Sequence, residues 1–288
     1  MKGIILAGGA GTRLYPASLP ISKILLPIYD KPMIYYPLAV LMQAGIKDIL
    51  IITNPEDNAN FKKLLKDGSQ WGLQIYYKIQ YEKRGIADAF LLGEEFIGQD
   101  SCALILGDNI FYGADLAEIV LQARQNKKGA YVFAYQVADP QRFGVVEFDE
   151  KGKALSLEEK PKNPKSNFAV TGLYFYDYNV VSYAKSLKPS PRGELEITDL
   201  NKIYLEKGQL HTQQLPQEFM WLDTGTHDGM LQASQFVKTY QNITHKQIAC
   251  LEEIAVQKQL IPAESLQKPS QTWPDNYYYN YIREKVLK

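Results

Sequence analysis

The chain has 288 residues, with 32 Lys plus Arg against 32 Asp plus Glu, so its formal net charge is zero. That length admits one large α/β domain or two modest ones, with a core that needs no disulfide or metal staple. Balanced charge without a basic stripe argues against a nucleic-acid partner, and the longest uncharged run, Pro32–Ile46, is shorter than the roughly 20 apolar residues of a membrane span.

Taken in chain order, the first half alternates short apolar runs with longer helical patterns. Gly3–Ala7, Asp48–Thr53, Gln74–Ile79, Ala103–Gly107 and Ala130–Val137 read as buried strands. Helices are predicted between them at Pro32–Ala44, Asp57–Lys66, Ile86–Phe96 and Asp115–Gln125. This order predicts an α/β fold with a mostly parallel sheet, helices on both faces, and ligands at the carboxyl ends of the strands. Beyond Val137 the pattern predicts an antiparallel hairpin, Gly144–Phe148 and Ala154–Glu158, around the turn Asp149-Glu150-Lys151-Gly152. Phe168–Tyr176 reads as a further strand, followed by helices at Asn179–Leu187, Ile197–Lys207 and Thr226–Tyr240. From about Ile243 two more helical patterns lead into the aromatic run Tyr277-Tyr278-Tyr279.

Cys102 and Cys250 lie far apart and form no Cys-x-x-Cys pair, which points away from a disulfide framework or zinc site and fits a reducing cytosol. Met1–Leu6 runs directly into a strand pattern without the layout of a signal peptide, so a cytoplasmic protein is expected.

The strongest local signal is Leu6-Ala7-Gly8-Gly9-Ala10-Gly11-Thr12-Arg13-Leu14, directly after the first strand. Its glycines let the backbone bend sharply and turn successive N–H groups toward phosphate oxygens. The alternative is a tight turn with no ligand. A P-loop is excluded because Thr12-Arg13 follows Gly11 in place of Lys-Ser/Thr, and a dinucleotide fingerprint because Leu14 stands at the third glycine. Arg13 and Lys23 follow closely and carry the charge a triphosphate requires. Asp108 and Asp223 each close a probable strand, and two converging carboxylates suit Mg²⁺. The blander readings are an Asx turn at Asp108-Asn109 and a helix cap at Asp223. Lys160 precedes Pro161, which is expected to hold it in an extended conformation and aim its side chain at a second anion. Asp223-Thr224-Gly225 matches the aspartic-protease signature, yet no second copy exists to share a proton. His211, His227 and His245 show no metal spacing.

In combination these residues resemble the bacterial sugar-nucleotide pyrophosphorylases. The likeness runs from Gly3–Leu14 through Ser22-Lys23, Leu25-Leu26-Pro27, Tyr29–Pro37, Leu106–Asn109, Ser156–Pro161, Val170–Tyr174 and Arg192–Asp199 to Trp221–Thr226. It implies a Rossmann-like nucleotidyltransferase fold with a mixed, mostly parallel sheet, a sugar-side β insertion and a C-terminal helical extension. The core would cover 1–242, its nucleotide half about 1–137 and its sugar half about 138–242, with the extension at 243–288. The activity implied is transfer of a thymidylyl group from dTTP to glucose 1-phosphate with Mg²⁺ as cofactor, the first step toward dTDP-deoxysugars of the rhamnose type. It also implies a homotetramer under feedback inhibition by a dTDP-sugar.

Position by position, the resemblance places Gly8, Gly9, Ala10, Gly11, Thr12 and Arg13 at the triphosphate, with Lys23 assisting and Leu6 and Asp108 also at the nucleotide. Gln80 and Gly85 would face the base, and Asp108 and Asp223 would hold the metal. Lys160 would hold the sugar phosphate, while Gly144, Glu159, Val170, Tyr174 and Glu194 would line the hexose pocket. Three positions depart from the family pattern: Ile24 and Asp88 where glutamine is common, and Phe143 where tyrosine is frequent. Asp88 would either face the base or stabilise the start of its helix. A phosphate monoester is mostly dianionic at neutral pH and needs no general base, consistent with the lack of a histidine constellation. Two rival classes are a glycosyltransferase, whose usual Asp-x-Asp is missing from Gly107-Asp108-Asn109-Ile110, and a non-catalytic sugar-nucleotide sensor, which would not need all of these cations and carboxylates.

Overall fold

The computed structural model describes residues 1–126 and 128–287. In chain order the elements are β1 (Lys2–Leu6), β2 (Pro27–Ile28), β3 (Lys31–Pro32), α1 (Tyr35–Gln43), β4 (Asp48–Thr53), α2 (Asn58–Leu65), β5 (Gln74–Ile79), α3 (Asp88–Leu92), α4 (Glu94–Ile97), β6 (Cys102–Leu106), β7 (Asn109–Tyr112) and α5 (Leu116–Gln125). There follow β8 (Ala130–Gln136), β9 (Gly144–Phe148), β10 (Ala154–Glu159), β11 (Phe168–Tyr176), α6 (Val180–Ser186), α7 (Ile197–Glu206), β12 (Leu210–Gln214), β13 (Met220–Asp223), α8 (His227–Thr244), α9 (Leu251–Gln257), α10 (Gln267–Ser270) and α11 (Tyr277–Lys285).

The uninterrupted apolar runs of β1, β4 and β6 are buried on both faces, which is why they occupy the centre of the sheet. β1 pairs in parallel with β4 and β6, and β5 extends the parallel set at the edge. β11 then runs antiparallel to β6, β8 and β9, and β12 closes the far edge parallel to β8. The α/β class and mostly parallel sheet are as expected. Alternate side chains point to opposite faces. Ile5, Ile51 and Ile105 join a core with α1, α5 and α9, whereas Ile4, Ile52 and Leu104 join another with α3, α6 and α7. Helix α1 is buried all round from Tyr36 to Met42, as a helix without a polar stripe must be. Each fully buried Leu or Met there contributes about 1.5–3 kcal/mol.

Several boundaries differ from the sequence reading for local reasons. The first helix begins at Tyr35, not Pro32, because Lys31–Pro32 pair with Pro27–Ile28 in a small hairpin. The helix expected at Ile86–Phe96 breaks into α3 and α4 at Gly93. A Cβ at Gly93 would meet Ile4 and Leu50 at 3.3 Å, so glycine lets this helix lie close on the sheet. β7 and β12 were not anticipated. β12 is a half-exposed, polar edge strand, Leu-His-Thr-Gln-Gln, with little apolar signal. The tyrosine run is itself helical, in α11. Helix α8 runs to Thr244, past the expected junction at 242, and Leu251, Ile254 and Ala255 of α9 share the core that α1 fills. Among the described residues no helix is long and apolar enough to cross a membrane.

Candidate active site

The glycine loop leaves β1 under tight constraint. Gly9 sits at φ 121° and Gly11 at φ 60°, conformations that L side chains rarely adopt. Asn54 clamps the loop: its Oδ1 accepts from Gly9 N at 3.2 Å and its Nδ2 donates to Gly9 O at 2.9 Å. Only a three-residue 3-10 turn, Thr12–Leu14, follows, so no long helix lends its dipole. Anion binding here would rest on the loop N–H groups and nearby cations. Gly9, Ala10, Lys23 and Gln80 line a groove of about 430 Å³.

A second cavity, of about 600 Å³, is lined by Arg13, Asp108, Gly144, Glu159, Lys160, Val170, Tyr174, Glu194 and Asp223. Leu6, Gly8, Gly11, Thr12 and Gly85 line neither surface. Gly8 and Gly85 have conformational reasons of their own. A Cβ at Gly8 would lie 2.9 Å from Gln80 Oε1. Gly85, at φ 94°, lies so close to Leu195 that a Cβ would sit 2.5 Å from its carbonyl oxygen. That approach is bonded on both sides, since Leu195 N donates to Arg84 O at 2.6 Å and Ala87 N to Leu195 O at 3.2 Å.

Asp108 and Asp223 meet because β7 and β13 form an antiparallel ribbon in which Asp223 pairs with Asn109. Thr224 seals the junction by donating its N–H and its hydroxyl to Asp108 O, at 3.0 and 2.7 Å. Asn109 braces it from behind: its Oδ1 accepts from Gly172 N at 3.0 Å and Trp221 Nε1 at 2.7 Å, and its Nδ2 donates to Asp108 Oδ1 at 3.0 Å. Gly172 stands where the pairing of β11 with β8 shifts register, and a Cβ there would strike Asn109 Oδ1 at 2.5 Å.

The two carboxyls differ electrostatically. Burial alone would raise Asp108, but the Lys23 ammonium bonded to it, with help from Asn109, holds it below the usual carboxylate range. Asp223 is pushed up by burial and then by the negative charge of Asp108. Arg142 Nη2 lies 3.3 Å from Asp223 Oδ2, and Arg13 packs against Gly225 beside Asp223. Two facing carboxylates, one of them still disfavoured as an anion, make an all-oxygen donor set that fits a hard divalent cation. Among the described residues no group of three or more His, Cys, Asp or Glu is arranged to hold a metal ion. Mg²⁺ takes one or two carboxylates and fills its shell with phosphate oxygens and water.

Within the second cavity, Thr198 Oγ1 donates to Glu159 Oε2 at 2.5 Å, and Gly144 leaves room for that pair. Arg192 Nη2 gathers Glu159, Glu194 and Glu196 at 3.4, 3.3 and 2.8 Å. Lys160 lies beside this cluster, 3.6 Å from Glu159. Its backbone is not extended, as Pro161 had suggested, but sits at φ 44°. Lys160 N donates across to Phe143 O at 2.9 Å, closing the β9–β10 hairpin, and this bond outweighs the steric preference before proline. Phe143 packs on Trp221 at 5.1 Å between ring centres. Ile24 is buried against Gly107 and lines neither cavity. Asp88 is buried too, bonded to Gln80 and Arg84. Sequence reasoning did not single out Asn54, Asn109, Arg142, Thr198 or Thr224. Only the chain fold brings them to the site, although Asn109 and Thr224 adjoin the two carboxylates.

A glycine loop at the end of a parallel strand, lining one groove, and paired carboxylates in the cavity beside it are the parts of a nucleotidyltransferase. The chain belongs to the nucleotidyl transferase family, whose model matches residues 2–240. It is 59% identical to a glucose-1-phosphate thymidylyltransferase of Neisseria meningitidis serogroup A, over 100% of both chains. It is 51% identical to one of Mycobacterium tuberculosis, covering 99% of this chain and 98% of that one. Among solved structures it is similar to a Bacillus anthracis glucose-1-phosphate thymidylyltransferase in complex with sucrose, at 46% identity and TM-score 0.77, covering 82% of this chain and 94% of that one. A UDP-glucose pyrophosphorylase complexed with UDP-glucose matches at 26% identity and TM-score 0.72, covering 83% and 98%.

Proposed function

We propose that this enzyme joins dTTP to glucose 1-phosphate, giving dTDP-glucose and pyrophosphate. The observation that carries the reading is the Asp108–Asp223 pair in the second cavity, beside the groove that Lys23 and the glycine loop line. A phosphate oxygen of the sugar phosphate forms the new bond to the α-phosphorus of dTTP. The bond from that phosphorus to the β-phosphate bridge oxygen breaks, and pyrophosphate leaves with the electron pair. No proton has to be removed from the nucleophile, because the monoester is already dianionic at neutral pH.

The task left to the protein is to hold two mutually repelling anions in line. Arg13, Lys23 and the loop N–H groups take the triphosphate. Lys160 takes the sugar phosphate, and Gly144, Glu159, Val170, Tyr174 and Glu194 surround the hexose. Asp108 and Asp223 hold Mg²⁺, which supplies charge neutralisation among the phosphate oxygens. Gln80 and the Gly85 backbone meet the pyrimidine edge, the same in thymine and uracil. A single methyl group discriminates by only about 1–3 kcal/mol, so dTTP is used first, UTP second, and CTP and purines poorly. The same reading includes a homotetramer inhibited by a downstream dTDP-sugar, and placement in the cytoplasm at the head of a rhamnose-type pathway. Zero net charge and two buried, unpaired cysteines are compatible with both. Pyrophosphate release across a panel of triphosphates and sugar 1-phosphates tests the assignment. Turnover with another pair and none with dTTP and glucose 1-phosphate would refute it.

A further inference from the structure

A side-chain amide can present either its oxygen or its nitrogen to a ligand. At Gln80 the choice is made from behind. Gln80 Nε2 donates to Asp88 Oδ2 at 3.1 Å, and Asp88 is only 1% exposed. The other carboxylate oxygen, Oδ1, accepts from Arg84 Nη2 at 2.7 Å. A carboxylate only accepts, so the nitrogen of Gln80 must turn inward. Its oxygen is left toward the glycine loop, where a Cβ on Gly8 would lie 2.9 Å from it, and Gln80 lines the groove. Reversing the amide would set two buried acceptors face to face.

We propose that Asp88 is a specificity-positioning residue that locks the Gln80 amide so that the nucleotide groove presents an acceptor there. The assignment rests on the dTTP-using reading above. An acceptor at that point pairs with a base edge that carries a ring N–H, as thymine and uracil do. It repels the unprotonated N3 of cytosine. Discrimination between the two kinds of pyrimidine then originates in a residue that never touches the base.

Asp88→Asn tests this, because it keeps the shape but adds a donor of its own, so that Gln80 is free to turn either way. The ratio of kcat/KM for dTTP to that for dCTP should fall about tenfold or more. The fall should come mainly through a raised KM for dTTP, with kcat at saturation and the KM for glucose 1-phosphate near their original values. In a Gln80→Ala background the same substitution should leave the ratio unmoved. If Asp88→Asn does not fold, Asp88→Ser and calorimetric binding of dTDP against dCDP read the same ratio without turnover. An unchanged ratio, or an equal loss for every triphosphate, would overturn the role of Asp88 while the proposed reaction stands. A wild-type enzyme that does not prefer dTTP to dCTP would overturn both.

Discussion

Thr224 spends both of its donors on one atom, the carbonyl oxygen of Asp108, 116 residues away in the chain. The two bonds fix the distance between Asp108 and Asp223 through the backbone, independently of either carboxylate. Substitutions at the two acids therefore act on charge and leave the frame in place.

Their effects on stability should differ. Asp108→Asn strips Lys23 of its partner where the side chains are only 12% and 16% exposed. A loss of about 3–5 kcal/mol is expected. Asp223→Asn relieves a like-charge contact and should cost nothing, or stabilise the metal-free protein. Both variants should lose most turnover. Urea unfolding with a chelator present measures the difference, and a larger loss for Asp223→Asn would contradict it.

The same pair sets a pH dependence in metal-free buffer. Asp108 is held below its ordinary value, so its stabilisation is present above the unfolded carboxylate pKa and is lost as pH falls through the folded one. Asp223 is held above its ordinary value, so its ionisation opposes folding at neutral pH and that cost is removed as pH falls. Asp108→Asn should flatten acid unfolding, whereas Asp223→Asn should steepen it. Melting temperatures across the acid range decide between these outcomes.

Gly172→Ala should be severe for so small a change. Its Cβ would press on Asn109 Oδ1 at 2.5 Å and displace the amide that braces Asp108 and Trp221. A loss of about 2–4 kcal/mol is expected, together with reduced turnover. Denaturant unfolding and tryptophan fluorescence report both; wild-type stability would show that β11 has slack at this point.

The cations should divide their labour. Lys160→Ala should raise the KM for glucose 1-phosphate or lower kcat, while Arg13→Ala should chiefly damage use of dTTP. Initial rates with each substrate varied in turn resolve the split. Identical defects in the two variants would count against it.

The parallel centre of the sheet was legible because β1, β4 and β6 are buried on both faces and so carry unbroken apolar runs. The hairpin of β9 and β10 was legible from its turn and its alternation. β12 was not, since a polar edge strand is recruited by its neighbour and not by its own composition. At the site, the residue types of Asp108, Asp223 and Lys160 could be read locally. The backbone of Lys160 could not, because a cross-strand bond to Phe143 overrides the local preference. Nor could the place of Asp88, whose partner Gln80 lies just past the end of β5 and faces it only after folding.

The bonds that tie Leu195 to Arg84 and Ala87 bear on how this scaffold can be altered. They join the loop proposed to read the base with the segment proposed to border the sugar, backbone to backbone, so the two do not behave as interchangeable cassettes. Grafting residues 81–88 from a relative with another base preference would carry a foreign main-chain path up against Leu195, where Gly85 already allows no side chain. Such a chimera should disturb sugar choice even though no sugar-side residue was exchanged. Redesign of either selectivity would then have to transplant both stretches as one inherited unit.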